Sequence, residues 1–385
     1  MPDEVRRTGK MRFRKLERTE HSVTRPLWEK IFTDDTEKFL DYYYTVKTKD
    51  NEIYAAENEQ GELCSMLQLN PYRMKMGQSE FLSHYIIAVA TRPEYRKQGL
   101  MRELLNRSMG DMYQCGEAFT FLMPAAEVIY RPFDFRFIYN QRQGWVDGFA
   151  GGKGQFEMRK AVSSDCGQIA VFARKQLAGY SVYAIRDAAY YECMLKEQTS
   201  ENGGVMLILD QGITVGVFAY AYEGTYEIRE PLIEAGYEDA FREAVYHLTQ
   251  EEGSAVKCYG YEGDLEYLVL KPNIMVRVLH PEQVLVQMRV REALDVRFNI
   301  IDFIIKENNV CVHLQAEKGE YIKVSMAETN SKADAISIAA LTSLMFGYLE
   351  VDEILLEEGV SISEAGAAQL RKMEPLSKIF LNEVV

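Results

Sequence analysis

The sequence predicts two related α/β units followed by an α+β unit, and three observations lead there. Two distant segments open alike: Met11 to His21 (MRFRKLERTEH) and Phe156 to Cys166 (FEMRKAVSSDC) each give an Arg-Lys strand and a polar turn, then a helical pattern at Val23 to Phe32 and Gly167 to Leu177. The likeness continues, because Glu52 to Leu69 and Val205 to Tyr220 both read as strand, Gly-containing turn, strand. After about Pro272 the texture changes to short β-rich runs over Asp295 to Val324, broken by Asn308-Asn309 and Lys318-Gly319. Helical stretches follow at Lys332 to Tyr348 and Ser363 to Met373, a strands-then-helices pattern that marks a separate unit.

Length and composition agree. At roughly 100–200 residues per domain, 385 residues allow two to four domains, and 47% apolar with 11% aromatic residues is enough for packed cores. The chain has 44 basic and 58 acidic residues, a net charge of −14. Such a field disfavours nucleic acid and anionic lipid and suits cationic small molecules. Six scattered cysteines without a C-x-x-C pair point to a reducing, cytoplasmic setting rather than a disulfide framework or structural zinc. The basic amino terminus leads into no apolar stretch of signal-peptide length. The most apolar long window, Ile336 to Leu349, falls short of the ~18–20 residues a bilayer span needs, so no membrane anchor is expected.

The segment that carries chemistry runs from Tyr85 to Met109 (YIIAVATRPEYRKQGLMRELLNRSM). Tyr85 to Ala90 is a continuous apolar run that suits a strand buried on both faces. Leu100, Met101, Leu104, Leu105, Met109 and Met112 then recur at helical spacing and define one apolar face. A strand leading through a glycine loop into a helix aims unpaired N–H groups and the positive end of the helix dipole at one point, which suits a diphosphate. Gly99 lets the backbone approach the oxygens, and Arg96, Lys97 and Arg102 add charge. Neither a Walker loop nor the three glycines of a dinucleotide fingerprint occur, so a kinase or ATPase is disfavoured.

In context this loop resembles motif A of the GNAT acyltransferases, which reads Gln/Arg-x-x-Gly-x-Gly/Ala and binds the pyrophosphate of acetyl-CoA. Arg96 and Gly99 hold their places and Met101 replaces the usual final small residue, as in the enhanced-intracellular-survival (Eis) family. The resemblance covers nearly the whole chain. It implies tandem GNAT-type mixed-sheet domains, an acetyl-CoA-binding one over 1–154 and a degenerate one over 155–277, then a sterol-carrier-protein-like α+β domain over 278–385. In the second unit Tyr226 to Ala244 (YEIREPLIEAGYEDAFREA) stands where the cofactor loop should be, acidic and without Arg-x-x-Gly.

Glu127 to Phe135 (EVIYRPFDF) is similar to the family's Ile-Tyr-Gly-Arg-Phe-Gly-Tyr segment, whose tyrosine is the general acid; that role falls on Tyr130, with Arg131, Pro132 and Asp134 departing from the pattern. Pro375 to Val385 (PLSKIFLNEVV) resembles the terminal segment whose free α-carboxylate is the general base, here that of Val385. The resemblance implies a cofactor site at Val89, Ala90, Thr91, Arg96, Lys97, Gln98, Gly99, Leu100, Met101, Arg102, Ala125 and Ala126. It also implies acetyl-CoA as co-substrate, no metal, a cationic amine acceptor such as an aminoglycoside or a lysine-containing peptide, and a homo-oligomer, hexameric by family.

Acetyl transfer to an amine needs a deprotonated nitrogen, a polarised carbonyl and a protonated leaving thiolate. A carboxylate can accept the ammonium proton, backbone N–H groups at Val89 or Ala90 can bind the thioester oxygen, and Tyr130 can protonate the sulfur. The aromatic and acidic residues of Trp28 to Tyr44 could hold a polyamine, against the simpler reading of an amphipathic helix packed on the sheet. His84 could act as a base but reads more simply as a packed residue, and the other histidines show no partner spacing. The alternative from another class is a non-catalytic scaffold that senses acyl-CoA or carries an apolar ligand or partner.

Overall fold

The computed structural model describes residues 10–150, 156–251, 253–330 and 333–383. Strand β1 (Arg12–Lys15) leads through a 3-10 turn into helices α1 (Arg25–Ile31) and α2 (Glu37–Thr45). Strands β2 (Glu52–Glu57), β3 (Leu63–Met76) and β4 (Ser79–Thr91) form an antiparallel meander, followed by α3 (Leu100–Gln114) and by β5 (Phe119–Leu122), which runs parallel to β4. After α4 (Glu127–Tyr130) and β6 (Arg136–Phe137) the chain crosses to a second sheet as β7 (Asn140–Asp147).

Next come β8 (Phe156–Lys160), α5 (Cys166–Leu177), β9 (Val182–Ala184), α6 (Ala188–Ser200), β10 (Gly204–Asp210), β11 (Ile213–Tyr222), β12 (Tyr226–Ile233), α7 (Glu238–Thr249), β13 (Ala255–Tyr259) and β14 (Glu266–Pro272). Strand β15 (Met275–Val278) precedes α8 (Pro281–Leu285), β16 (Arg289–Val290), β17 (Leu294–Ile301), β18 (Cys311–Ala316), β19 (Lys323–Ala327) and β20 (Asp334–Ser337). The chain continues through α9 (Ile338–Phe346), α10 (Val351–Ile354), α11 (Glu364–Leu370), β21 (Met373–Glu374) and β22 (Ile379–Phe380).

The first sheet has the order β1-β2-β3-β4-β5-β15-β6, and the second β14-β7-β13-β12-β11-β10-β8. Both are mixed, and each takes a strand from sequence that lies nearer the other: β7 completes the second sheet, while β15 inserts between β5 and β6 of the first. The expected division at 277 therefore cuts through β15. Strand β9 also joins the first sheet, pairing with β3 on one side and with β22 on the other. Both paired openings read from the sequence form strand, 3-10 turn and helix, and both predicted hairpins form.

The last part of the chain carries the four-stranded sheet β19-β18-β17-β20. Lys332 to Tyr348 is not helical throughout, because Asp334 to Ser337 pair in parallel with Phe298 to Ile301 as β20. Only then does Ser337 cap α9, its Oγ accepting the Ala340 N–H at 3.2 Å. Every residue of α9 is buried, as its all-round apolar sequence requires. It joins the core that links β15, α8 and the four-stranded sheet, each large side chain contributing about 1.5–3 kcal/mol on burial. Arg277 on β15 reinforces this joint through Asp302, both carboxylate oxygens lying 2.7 Å from Nη2. No helix among the described residues is long and apolar enough to cross a membrane.

Candidate active site

The first sheet opens at β4. Its register with β3 pairs Met66 with Ala90 and then Gln68 with Ile87, so β4 carries one extra residue at Ala88–Val89. This is a β-bulge, and Ala88 has φ 52°, a conformation rare for a residue with a side chain. Strand β4 is laddered to β5 only through Tyr85 and Phe121. Beyond that pair the two parallel strands separate, and Ile86 to Thr91 line one wall of a wedge whose backbone groups are free of β5. Ser65 Oγ fixes the rim, 2.9 Å from the Ala90 carbonyl it donates to and 2.7 Å from Thr91 Oγ1.

The predicted cofactor residues gather around this wedge because they follow the C-terminal ends of the parallel pair. After β4 a 3-10 turn (Pro93–Tyr95) precedes Lys97 at φ 62° and Gly99 at φ 82°, and α3 starts immediately. Two left-handed residues in this turn are the reason the loop needs glycine at its end. Arg96 Nε donates to the Thr91 carbonyl at 3.2 Å, which ties the loop back to the strand. Arg96, Lys97, Gln98, Gly99 and Arg102 are exposed, Met101 is half-buried, and Leu100 is buried as the anchor of the helix. Arg102 stacks over the Phe133 ring at 5.2 Å. Ala125 and Ala126, exposed after β5, stand at the same end of the sheet.

Tyr130 ends the short helix α4. It is 8% exposed, lies edge-on to Phe135 at 6.0 Å, and among the described residues makes no hydrogen bond through its hydroxyl. Burial pushes the phenol up to about 12, so it is a protonated donor at neutral pH. The departures after it close a 3-10 turn: Arg131 pairs with Glu127 at 2.9 Å and Glu357 at 3.3 Å, and Asp134 adopts φ 64° near Arg277.

Val385 lies outside the described residues. The segment before it is held firmly: β22 runs parallel to β9, and Ile379 to Glu383 are all buried. Asn382 Oδ1 accepts from Gln141 Nε2 at 2.7 Å and from the Tyr139 hydroxyl at 3.0 Å. This delivers Glu383 to the face of the first sheet that carries Tyr72 and Tyr85. Burial raises the Tyr85 hydroxyl, which sits beside the Met123 backbone and within electrostatic reach of both Tyr130 and Glu383.

A buried charge cluster that sequence reasoning missed adjoins this point. Arg186, just after β9, places Nη1 2.7 Å from Glu230 Oε2 and Nη2 3.2 Å from Glu383 Oε1. One cation thus faces two carboxylates. Burial pushes Glu230 up to about 8 despite Arg186, and the charge of Glu383 adds to the shift. For Arg186 burial opposes the charge, but the two carboxylates outweigh it and the guanidinium is held charged. The two effects agree if Glu230 keeps its proton at neutral pH. No local signal marks these residues, since Arg186 and Glu383 are 197 positions apart; only the terminal segment PLSKIFLNEVV was legible.

The aromatic Trp28–Tyr44 stretch is mostly core: Trp28, Phe39, Tyr42 and Tyr43 are buried together against Met66, Ala88 and Ala90. Two of its tyrosines reach interior polar groups, Tyr42 donating to Glu197 Oε2 and Tyr43 to Asn70 Oδ1, each at 2.9 Å. His84 is packed, with Nδ1 2.7 Å from Glu117 Oε1 and its backbone N–H donating to Oε2 at 3.1 Å. At α7, the helix of the second sheet that follows β12, Glu238 accepts the Gly236 N–H at 3.0 Å and Asp239 adds a second negative charge, so the helix N-terminus already has its anions.

Residues 12–138 match the acetyltransferase (GNAT) domain family. No curated protein matches the chain in sequence. Several solved structures match over almost its whole length. A protein of Enterococcus faecalis V583 described as a conserved protein of unknown function, "Probable N-Acyltransferase", is 16% identical with a TM-score of 0.79, over 95% of this chain and 97% of that one. A GCN5-related N-acetyltransferase from Anabaena variabilis ATCC 29413 is 14% identical with a TM-score of 0.78, over 94% and 97%. Eis1 from Mycobacterium abscessus is 14% identical with a TM-score of 0.70, over 97% and 100%. At these identities the likeness is one of fold, a mixed α/β GNAT-type architecture.

Proposed function

We propose that the protein is an acetyl-CoA-dependent N-acetyltransferase acting on an amine of a cationic small molecule or a lysine-containing peptide. The observation that carries this reading is the wedge between β4 and β5 opening beside the exposed N-terminus of α3, within the segment that matches the GNAT domain family. That family uses acetyl-CoA. The diphosphate would lie on the N–H groups of Gly99 to Met101 with Arg96, Lys97 and Arg102 around it, and the pantetheine arm would take the place in the wedge that β5 leaves open. The thioester oxygen would accept from backbone N–H groups at the bulge, Tyr130 would protonate the departing sulfur, and the Val385 α-carboxylate would act as base.

The same reading makes the second sheet a degenerate GNAT-like unit and the last part a sterol-carrier-like unit, within a cytoplasmic homo-oligomer, hexameric by the Eis resemblance. In support of the tandem arrangement, the strand order β1-β2-β3-β4-β5 is repeated by β8-β10-β11-β12-β13, including the parallel last pair. Titration calorimetry with acetyl-CoA tests the function: saturable binding weakened at least about tenfold by Gly99→Glu supports it, and no binding refutes it.

A further inference from the structure

We propose that Glu383 is a catalytic residue that holds the acceptor's ammonium group and takes its first proton; this rests on the acetyltransferase reading above and adds a role to it. Four observations place Glu383 there.

Its backbone is positioned by sheet pairing rather than by a loose tail, through β22 on β9 and the clamp on Asn382. Its side chain is only 1% exposed, and Oε1 is committed to Arg186 at 3.2 Å and the Tyr190 hydroxyl at 3.3 Å. Among the described residues Oε2 has no hydrogen-bond partner at all. A buried carboxylate oxygen without a partner is costly, and is found where a ligand or water completes it.

Glu383 borders a space of the right kind. A cavity of about 40 Å³ is lined by Glu383, Glu230, Glu197, Tyr72, Tyr190 and Lys47. That is room for an ammonium head and a water or two, with three carboxylates and two tyrosines to receive it beside the cations Lys47 and Arg229. Beyond Arg229 and Glu230, which line both spaces, lies a second cavity of about 240 Å³ reaching Met123 and Asn382, large enough for more of an acceptor. Arg186 after β9 and the Tyr190 hydroxyl on α6 contact Glu383, Tyr72 on β3 and Glu230 on β12 line the same cavity, and Tyr85 on β4 and Tyr139 before β7 lie within electrostatic reach. The second cavity approaches the wedge through Met123, which directly follows β5.

The proton count closes. The ammonium gives one proton to Glu383 Oε2, directly or through one water, and the free amine attacks the thioester carbon. As the tetrahedral adduct collapses, the C–S bond breaks and Tyr130 gives its proton to the sulfur. The nitrogen's second proton goes to the terminal carboxylate. Net products are the amide, the free thiol and one proton released to solvent once the groups reset.

Glu383→Gln keeps the shape and the Arg186 contact while removing the base. We expect about a 100-fold fall in kcat/KM for the amine at pH 7 with acetyl-CoA affinity within about twofold. The loss should shrink as pH rises toward about 10, where bulk solvent supplies free amine. A fold defect would not recover in this way. Glu383→Asp, which withdraws the oxygen by one methylene, should lose about tenfold, and serves if the Gln variant melts early. A variant within about threefold of the wild type, or a loss equal at every pH, overturns the role. Wild-type protein that binds no acetyl-CoA would remove the acetyltransferase reading and this role with it, whereas an active wild type with unaffected Glu383 variants would remove this role alone.

Discussion

Ala88 and Glu230 are the same kink in two different sheets. Ala88 has φ 52° where β4 skips register against β3, and Glu230 has φ 53° where β12 skips register against β11. Each kink follows the last residue that pairs with a parallel neighbour, Tyr85 with Phe121 on β5 and Arg229 with Tyr259 on β13. Holding a non-glycine residue there costs about 1–2 kcal/mol, so the conformation has to be imposed by the surrounding sheet. The outcome differs with the side chain. Alanine leaves a wedge open beside a basic loop, whereas glutamate turns inward to Arg186 and fills its site with charge.

The loop at Gly99 separates backbone from charge effects. Nothing lies within 4 Å of a Cβ built there, so Gly99→Ala meets no clash and loses only the left-handed freedom at φ 82°. We expect a stability loss of about 1 kcal/mol in denaturant unfolding. Gly99→Glu brings a carboxylate to the α3 N-terminus and should weaken acetyl-CoA by at least about tenfold, less so at high salt. Equal affinities for the two variants would contradict the diphosphate assignment.

Tyr130→Phe should lower kcat by about 10- to 100-fold with little change in acetyl-CoA affinity, because the hydroxyl bonds nothing else among the described residues. With the phenol pushed up to about 12, its deprotonation should not limit the wild-type rate below about pH 11. A rate that falls near pH 10 through this group, or an undiminished Phe variant, would count against it.

Glu230 makes stability depend on pH in a definite direction. Its carboxyl is raised from the ordinary 4.5 to about 8 by burial, so folding favours the protonated form. That contribution is full below about pH 4.5 and is lost as pH climbs through about 8. Melting curves should therefore show the wild type losing ground to Glu230→Gln between about pH 5 and pH 8.5. Parallel curves would show that the trio holds no such proton.

Arg277→Met tests the joint between the first sheet and the last part of the chain. Asp302 would keep its bonds from the Ile304 and Ile305 N–H groups and from Asn308 Nδ2 but lose its cation, leaving a buried anion. Chemical unfolding should show a loss of about 3–5 kcal/mol. A loss under about 1 kcal/mol would mean the joint rests on apolar contacts alone.

What was legible in the sequence was local. The hairpins, the Gly99 loop and the apolar face of α3 are written in periodicities of a few residues, and all appear in the structure. The stretch 332–348 misled because Asp334 to Ser337 become a strand only by pairing with β17, a distant partner that overrides local helical preference. The insertion of β15 between β5 and β6 is equally nonlocal. So is the meeting of Arg186, Glu230 and Glu383, which depends on β9, β12 and β22 being brought together. Tyr130 stood out only through its resemblance to a known segment, since the sequence holds 24 tyrosines.

The most direct test is thiol release from acetyl-CoA by the wild-type protein over a panel of aminoglycosides, polyamines and lysine peptides. Amine-dependent release is expected, and Tyr130→Phe and Glu383→Gln should each suppress it. Saturable acetyl-CoA binding with no release for any amine would contradict it and leave a binding scaffold in its place.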